Sequence, residues 1–327
     1  METFERIIRD LYPLNDEAFE EIALNLFRLQ SSENEVYQRY ITYLGVEVEK
    51  VNSIRDIPFL PISSFKSHTV VCGAWTPELI FVSSGTTGQE VSHHSIPSLD
   101  LYLRHSQKIF EGIFGPLDQY HVLCLLPSYL ERTGSSLVAM ANHFINESKS
   151  LSSGFHLNDL DHLVSKLEEL KGNRKVLLLG VSFALLDLAE QYEVDLSHCM
   201  VMETGGMKGQ RQEITRQELH EILCKNMNIN KVYSEYGMTE LLSQAYSSGD
   251  GFFRCPSSMR VILREVNDPR SPEILTTGAI NVIDLANCHS CAFIETQDLG
   301  RLHQNGHFEV LGRMDNSDLR GCNLMVG

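Results

Sequence analysis

Hydrophobic positions along the chain change period twice. After Pro13, Asn15 stands as a helix N-cap, and Phe19, Ile22, Ala23, Leu26 and Phe27 follow at helical spacing. From Pro77 onward short apolar runs, "ELIFV", "HVLCLL", "KVLLLG", "CMVME" and "KVYSEYG", alternate with amphipathic segments. In "LDHLVSKLEELKG", Leu160, Leu163, Val164, Leu167 and Leu170 share one helical face, which Gly172 closes. Buried strands alternating with helices predict a largely parallel sheet with helix-covered faces, an α/β fold. Beyond about Gly249 the helical period fades, and "RVILREV", "AINVIDLA" and "HFEVLGR" predict shorter strands in an antiparallel or barrel-like appendage. The expected organisation is a helical amino-terminal part over 1–76, an α/β core over 77–248, a β-rich subdomain over 249–312 and a tail over 313–327.

Composition narrows the function classes. The 327 residues are 43% hydrophobic and 21% charged, an ordinary globular mixture, with a formal net charge of −16. That balance disfavours nucleic acid or an anionic bilayer as main partner. No basic, apolar leader follows Met1, and the longest apolar stretch, Val176 to Ala189, contains Asp187 and falls short of the roughly 20 residues that span a bilayer. The eight cysteines lack framework spacing, so reduced thiols and a cytoplasmic location are expected. Cys255 with "CHSC" (Cys288 to Cys291) lacks the second close pair of a structural zinc site. A serine hydrolase is disfavoured because no G-x-S-x-G elbow occurs. Most of the thirteen histidines, His93 and His94 among them, read as surface or packing residues.

Candidate chemistry lies in four stretches. "FVSSGTTGQ" offers Ser83, Ser84, Gly85, Thr86, Thr87 and Gly88 just after a predicted strand. Its backbone N–H groups and hydroxyls suit a polyphosphate, although a Ser/Thr-rich surface loop would look alike. It is not a Walker loop, since no G-K-[ST] follows. "YSEYGMTE" sets Tyr236, Gly237, Thr239 and Glu240 past a strand end, where open α/β sheets bind ligands. "IETQDLGRL" presents Asp298 before Gly300, and "LGRMDNSD" presents Arg313 and Asp315.

Taken in this order, the four resemble the adenylate-forming superfamily of acyl-CoA synthetases, adenylation domains and luciferases. "FLPISSFKSH", "LPSYLERTGSSLV", "ETGGMKGQRQEITRQELH", "YGMTELLSQAYS" and "GRMDNSDLRGCNL" further resemble the LuxE-type acyl-protein synthetases of bacterial fatty-acid reductase complexes. That resemblance runs over nearly the whole chain, most specifically from Phe59. It implies the superfamily's large domain, with helix-flanked, mostly parallel sheets and a small β-rich subdomain.

The resemblance also implies ATP and Mg²⁺. Ser83 to Gly88 would enclose the β- and γ-phosphates, and Gly205, Gly206 and Tyr236 would flank adenine. Thr239 would contact the α-phosphate, Glu240 would help hold Mg²⁺, and Asp298, with Arg313 nearby, would accept the ribose hydroxyls. The bland readings are a core aromatic for Tyr236 and a turn residue for Asp298. Tyr129, Glu131, Ser135 and Ser136 would border the acyl pocket, although a solvated loop would look the same. Most superfamily members continue past the "GRMD"-type hinge into a mobile small domain that supplies a lysine. Here the sequence ends twelve residues after Asp315, so that domain is expected to be absent, with Lys66, Lys208 or Arg211 as substitute cations.

Cys322, in "RGCNL", matches the cysteine that takes the acyl group as a thioester in acyl-protein synthetases. Arg320 could lower its pKa and Gly321 frees the backbone. The bland reading is a small apolar residue on a terminal strand. The resulting expectation is ATP-dependent activation of a carboxylic acid, a fatty acid as the resemblance implies, with transfer to Cys322 for delivery to an acyl reductase partner. The alternatives are an acyl-CoA ligase similar to phenylacetate-CoA ligases and a non-catalytic nucleotide-binding remnant.

Overall fold

The computed structural model describes residues 14–84, 90–127, 134–172, 174–206, 211, 214–266 and 274–314. Its strands are β1 (Leu60–Pro61), β2 (Leu79–Val82), β3 (His93–Ile96), β4 (Tyr120–Leu125), β5 (Gly154–Phe155), β6 (Lys175–Val181) and β7 (Cys199–Thr204). They continue with β8 (Tyr233–Tyr236), β9 (Ala245–Ser247), β10 (Phe253–Arg254), β11 (Met259–Arg264), β12 (Thr277–Asp284), β13 (Phe293–Leu302) and β14 (Phe308–Arg313). A 12-stranded sheet runs β11-β12-β13-β14-β10-β9-β8-β7-β6-β4-β5, with β1 added beside β13. β2 and β3 form a separate antiparallel hairpin, pairing Val82 with His93 and Leu79 with Ile96.

Hydrophobic runs explain the parallel half. Val176, Leu177, Leu178, Leu179 and Val181 of β6 are all buried, as are Val122 to Leu125 of β4. Strands covered on both faces favour continuous apolar sequence over alternation. β8, β7, β6, β4 and β5 are parallel, and from β8 to β9 the pairing turns antiparallel. The strands predicted beyond Gly249 form the antiparallel half of this same sheet. β8 therefore sits where the two pairing modes meet, and the residues after its carboxyl end face a natural crevice.

Local signals set the helices. Asn15 accepts a hydrogen bond from Ala18 N at 2.8 Å and opens Asp16–Glu33. Thr215 and Glu218 form a capping box before Arg216–Asn226. The helix Leu160–Glu169 stops at its C-cap Leu170, ahead of Gly172. Among the described residues no helix is long and apolar enough to cross a membrane. The seven described cysteines carry free thiols, and no cluster of three or more metal-ligating side chains occurs among the described residues.

The amino-terminal helices pack on the antiparallel half. Phe27 and Tyr37 meet Phe293 at ring-centroid distances of 6.2 and 6.1 Å. Buried Gln30 donates to the carbonyls of Asn287 and Cys288, at 3.2 and 3.0 Å, and accepts from Ala292 N at 2.9 Å. One amide thus satisfies three main-chain groups of the turn between β12 and β13. Removing it would leave buried groups unpaired, at about 1–3 kcal/mol each.

Candidate active site

Five of the sequence-predicted residues come together past the carboxyl end of β8. Tyr236 ends that strand, and its hydroxyl donates to Asp298 Oδ2 at 2.8 Å. The β13–β14 register sets Asp298 directly opposite Arg313. Tyr236 is 7% exposed, with edge-on contacts to Phe253 and Phe308 at 5.8 and 5.4 Å. Most of its ring is therefore core, as the bland reading holds, while its hydroxyl fixes the carboxylate beside it. Burial raises the pKa of Asp298, and the Tyr236 hydroxyl, Arg313 and Arg216 counter that rise.

Thr239 and Glu240 lie on the segment between β8 and β9. Glu240 is 5% exposed, and desolvation raises its pKa against the Ser92 hydroxyl, Arg313 and Lys66. Arg313 thus influences both Glu240 and Asp298. Ser92 links this carboxylate to the hydroxyl-rich hairpin, since Ser92 N donates to Ser83 Oγ at 2.9 Å and Ser83 N to Ser92 O at 3.1 Å. The base of the β2–β3 hairpin therefore abuts Glu240. Ser83 and Ser84 are described there, whereas Gly85, Thr86, Thr87 and Gly88 lie outside the described residues.

Gly237 has a steric reason for its identity. A Cβ there would stand 2.3 Å from Glu235 Oε1, and Glu235 is buried and takes a hydrogen bond from the Thr204 hydroxyl. Gly205 and Gly206 follow β7 and are exposed. The Gly205 carbonyl accepts the Ser182 hydroxyl at 3.1 Å, and its φ of +69° is one that glycine adopts readily. Beside it Glu203 is held by Arg216 Nε at 2.9 Å, and the same guanidinium donates to Val310 O of β14 at 3.1 Å. Arg216 ties the glycine turn to the strand carrying Arg313.

The candidate cations divide. Lys66 acts on Glu240, Arg211 is ion-paired with Asp187 and Glu190 on the helix Ser182–Gln191, and Lys208 lies outside the described residues. Cys322, Asp315, Tyr129 and Glu131 also lie outside them, while Ser135 caps the helix Ser136–Glu147. Three residues that no sequence motif marks border the site: His94, Asn287 and Asp284. Their partners on the Thr239 segment are 145, 47 and 41 residues away, and only the apolar context of "AINVIDLAN" could have flagged the last two as buried.

Glu240 suits a Mg²⁺ ion shared with a nucleotide. Mg²⁺ is commonly held by one or two carboxylates together with substrate phosphates rather than by an all-protein cage. A single buried carboxylate next to a hydroxyl-rich hairpin is such a donor set.

No protein-family model and no curated protein matches the chain. Solved structures do. 2-Hydroxyisobutyryl-CoA ligase in complex with 2-HIB-AMP and CoA in the thioesterification state aligns with TM-score 0.67 at 14% identity, over 92% of this chain and 68% of that one. Its open conformation gives 0.66 at 15% identity, over 92% and 75%. ATP-bound MatB from Rhodopseudomonas palustris gives 0.53 at 17% identity, covering 72% of this chain and 47% of that one. The chain thus spans about half the length of the MatB structure it matches. The chain shares its fold with these ligase structures, a mixed α/β architecture with a large sheet flanked by helices.

Proposed function

We propose that the protein is an AMP-forming ligase that activates a carboxylic acid, a fatty acid by its sequence resemblance, as an acyl-adenylate. The acyl group then passes to Cys322 as a thioester for delivery to an acyl reductase. The observation that carries this reading is the convergence of Tyr236, Thr239, Glu240, Asp298, Arg313 and the base of the hydroxyl-rich hairpin at one edge of an adenylate-forming fold.

Each group has a chemical task. Asp298, already bonded to Tyr236, offers its remaining acceptor capacity to the ribose hydroxyls, with charge assistance. Ser83 to Gly88 enclose the terminal phosphates with hydroxyls and main-chain N–H groups. The Thr239 hydroxyl donates to the α-phosphate; the substrate carboxylate attacks the α-phosphorus, the bond to the bridging oxygen breaks, and pyrophosphate leaves. That approach joins two anions, so Arg313 and Lys66 are suited to stabilise the charge that develops. Mg²⁺, with Glu240 as its protein ligand, would neutralise phosphate charge. The Cys322 thiolate attacks the acyl carbon, AMP leaves, and the anhydride is exchanged for a thioester.

Incubation with labelled fatty acid and ATP tests the acceptor. Hydroxylamine-sensitive label should attach to the unmodified protein and be lost in Cys322→Ser. Label retained on Cys322→Ser would overturn the assignment. A second reading, with coenzyme A as acceptor, is favoured by the CoA complexes among the structural neighbours. Rapid CoA-dependent AMP formation by Cys322→Ser would select it.

A further inference from the structure

The segment Gly237–Gln244 carries Thr239 and Glu240 yet contains neither helix nor strand. A stretch without ladder partners ordinarily opens most readily. Here buried side chains from other elements hold its main chain. His94 of β3, 1% exposed, places Nδ1 2.8 Å from the Thr239 carbonyl oxygen. Since a carbonyl only accepts, that nitrogen carries the ring proton. Asn287 Nδ2 donates to the next carbonyl, that of Glu240, at 2.6 Å. Downstream, Asp284 Oδ2 accepts from Leu242 N and Ser243 N at 2.8 and 2.9 Å, and its Oδ1 accepts the Ser243 hydroxyl at 2.6 Å. The Ser243 hydroxyl also meets buried His105 Nε2 at 2.8 Å.

We propose that His94 and Asn287 are positioning residues: by fixing the consecutive carbonyls of Thr239 and Glu240, they aim the threonine hydroxyl and the glutamate carboxylate at a Mg²⁺-bound triphosphate. Asp284 anchors the segment where it turns back into the sheet. The proposal rests on the ligase reading for its ligand, but the clamp itself is a property of the free protein. Because His94 sits on the hairpin whose loop is hydroxyl-rich, it also couples that hairpin to the Thr239 segment.

Two amide variants separate the role from simple core filling. In His94→Asn the side-chain N–H₂ stands near the place of Nδ1, whereas in His94→Gln it stands near the place of Nε2, away from the Thr239 carbonyl. His94→Leu removes the donor altogether. Loss of one hydrogen bond of about 1.4 kcal/mol corresponds to about tenfold. Hydrogen exchange of the Thr239–Ser243 amides should accordingly be about tenfold faster in His94→Gln and His94→Leu, with His94→Asn close to the unmodified protein. The Mg²⁺ concentration giving half-maximal ATP binding should rise by a similar factor in the same two variants, while affinity for adenosine, which carries no phosphate, stays within about twofold. Unchanged exchange and unchanged Mg²⁺ dependence in His94→Gln would overturn the proposal, as would equal losses in the Asn and Gln variants. Should His94→Leu fail to fold, the amide pair decides. Slow exchange restored by His94→Asn in a protein that binds no nucleotide would leave the clamp standing and sink the ligase reading alone.

Discussion

Replacing Asp298 with asparagine would separate two roles of that carboxylate. Its Oδ2 accepts the Tyr236 hydroxyl at 2.8 Å, and its own backbone N–H is held by Thr296 Oγ1 at 3.1 Å. Asparagine keeps one acceptor for the tyrosine and nearly the same shape, so the β13–β14 ladder has no reason to shift. What disappears is the charge on which the proposed contact with a nucleoside diol rests. Hydrogen bonds to charged groups contribute about 1.5–3 kcal/mol, which predicts a ten- to hundredfold loss of AMP affinity. Adenine, lacking ribose, should bind variant and unmodified protein alike. Stability follows a different sign. Burial raises the Asp298 pKa, so at neutral pH the fold bears the cost of an ionised, desolvated carboxylate. The raised value means that this group favours the fold at acid pH and ceases to do so as pH rises through its folded pKa. A neutral amide should therefore leave the thermal midpoint at pH 7 equal or higher. Calorimetric titration with AMP and adenine, beside a thermal melt, reads both effects. AMP affinity unchanged within about twofold, or adenine affinity falling in parallel, would refute the assignment of Asp298 to ribose.

Acid should destabilise the protein through its buried neutral histidines. Burial lowers His94 to about 4 and His105 to about 3 from 6.5. The unfolded chain therefore takes up their protons first. Stability is full above pH 6.5 and falls below it, by about 3–5 kcal/mol per histidine at the acid limit. Asp284, Asp298 and Glu240, raised by burial, oppose the fall. Melting temperature should decline from pH 6.5 to 4.5, less steeply in His94→Asn; identical slopes would contradict this. Gly300→Ala sets a Cβ 2.7 Å from the Glu309 carbonyl oxygen and 2.6 Å from Ile280 Cδ1. β14 cannot retreat without breaking its ladder, so denaturant titration should show a loss of about 1–3 kcal/mol, and an unchanged midpoint would contradict the crowding. Arg216→Met removes the guanidinium partner of buried Glu203, which keeps the Ser182 hydroxyl and His220 beside it; the same titration should show a loss of about 1–3 kcal/mol, and no loss would show the pair to be dispensable.

Much of the α/β half was legible because its signals are short-range. The runs at Val122 to Leu125 and Val176 to Val181 are apolar on consecutive positions because both faces of those strands are covered. Asn15 caps its helix within three residues. Tyr236, Thr239, Glu240 and Arg313 stood out in short stretches at or just past the ends of β8 and β14, whereas Asp298 lies inside β13 and was marked only by Gly300 two positions on. The antiparallel strands were visible individually, but their continuation of the parallel half into one sheet depends on β8 pairing with β9, which no local pattern reports. His94 reads in sequence as an ordinary packing histidine, and packed it is. Its hydrogen bond to Thr239 spans 145 positions, so only the folded chain reveals it. Asp284 falls in the predicted strand "AINVIDLA" and Asn287 just beyond it, and nothing local marks either until their partners arrive from the Thr239 segment.

The central claim is that this chain joins a carboxylic acid to AMP. Pyrophosphate exchange into ATP, measured with the full chain over carboxylic acids of increasing length, tests it most directly. The account predicts exchange that requires both Mg²⁺ and a carboxylic acid and that falls sharply in Glu240→Gln. ATP binding with no acid-dependent exchange at any chain length would contradict it.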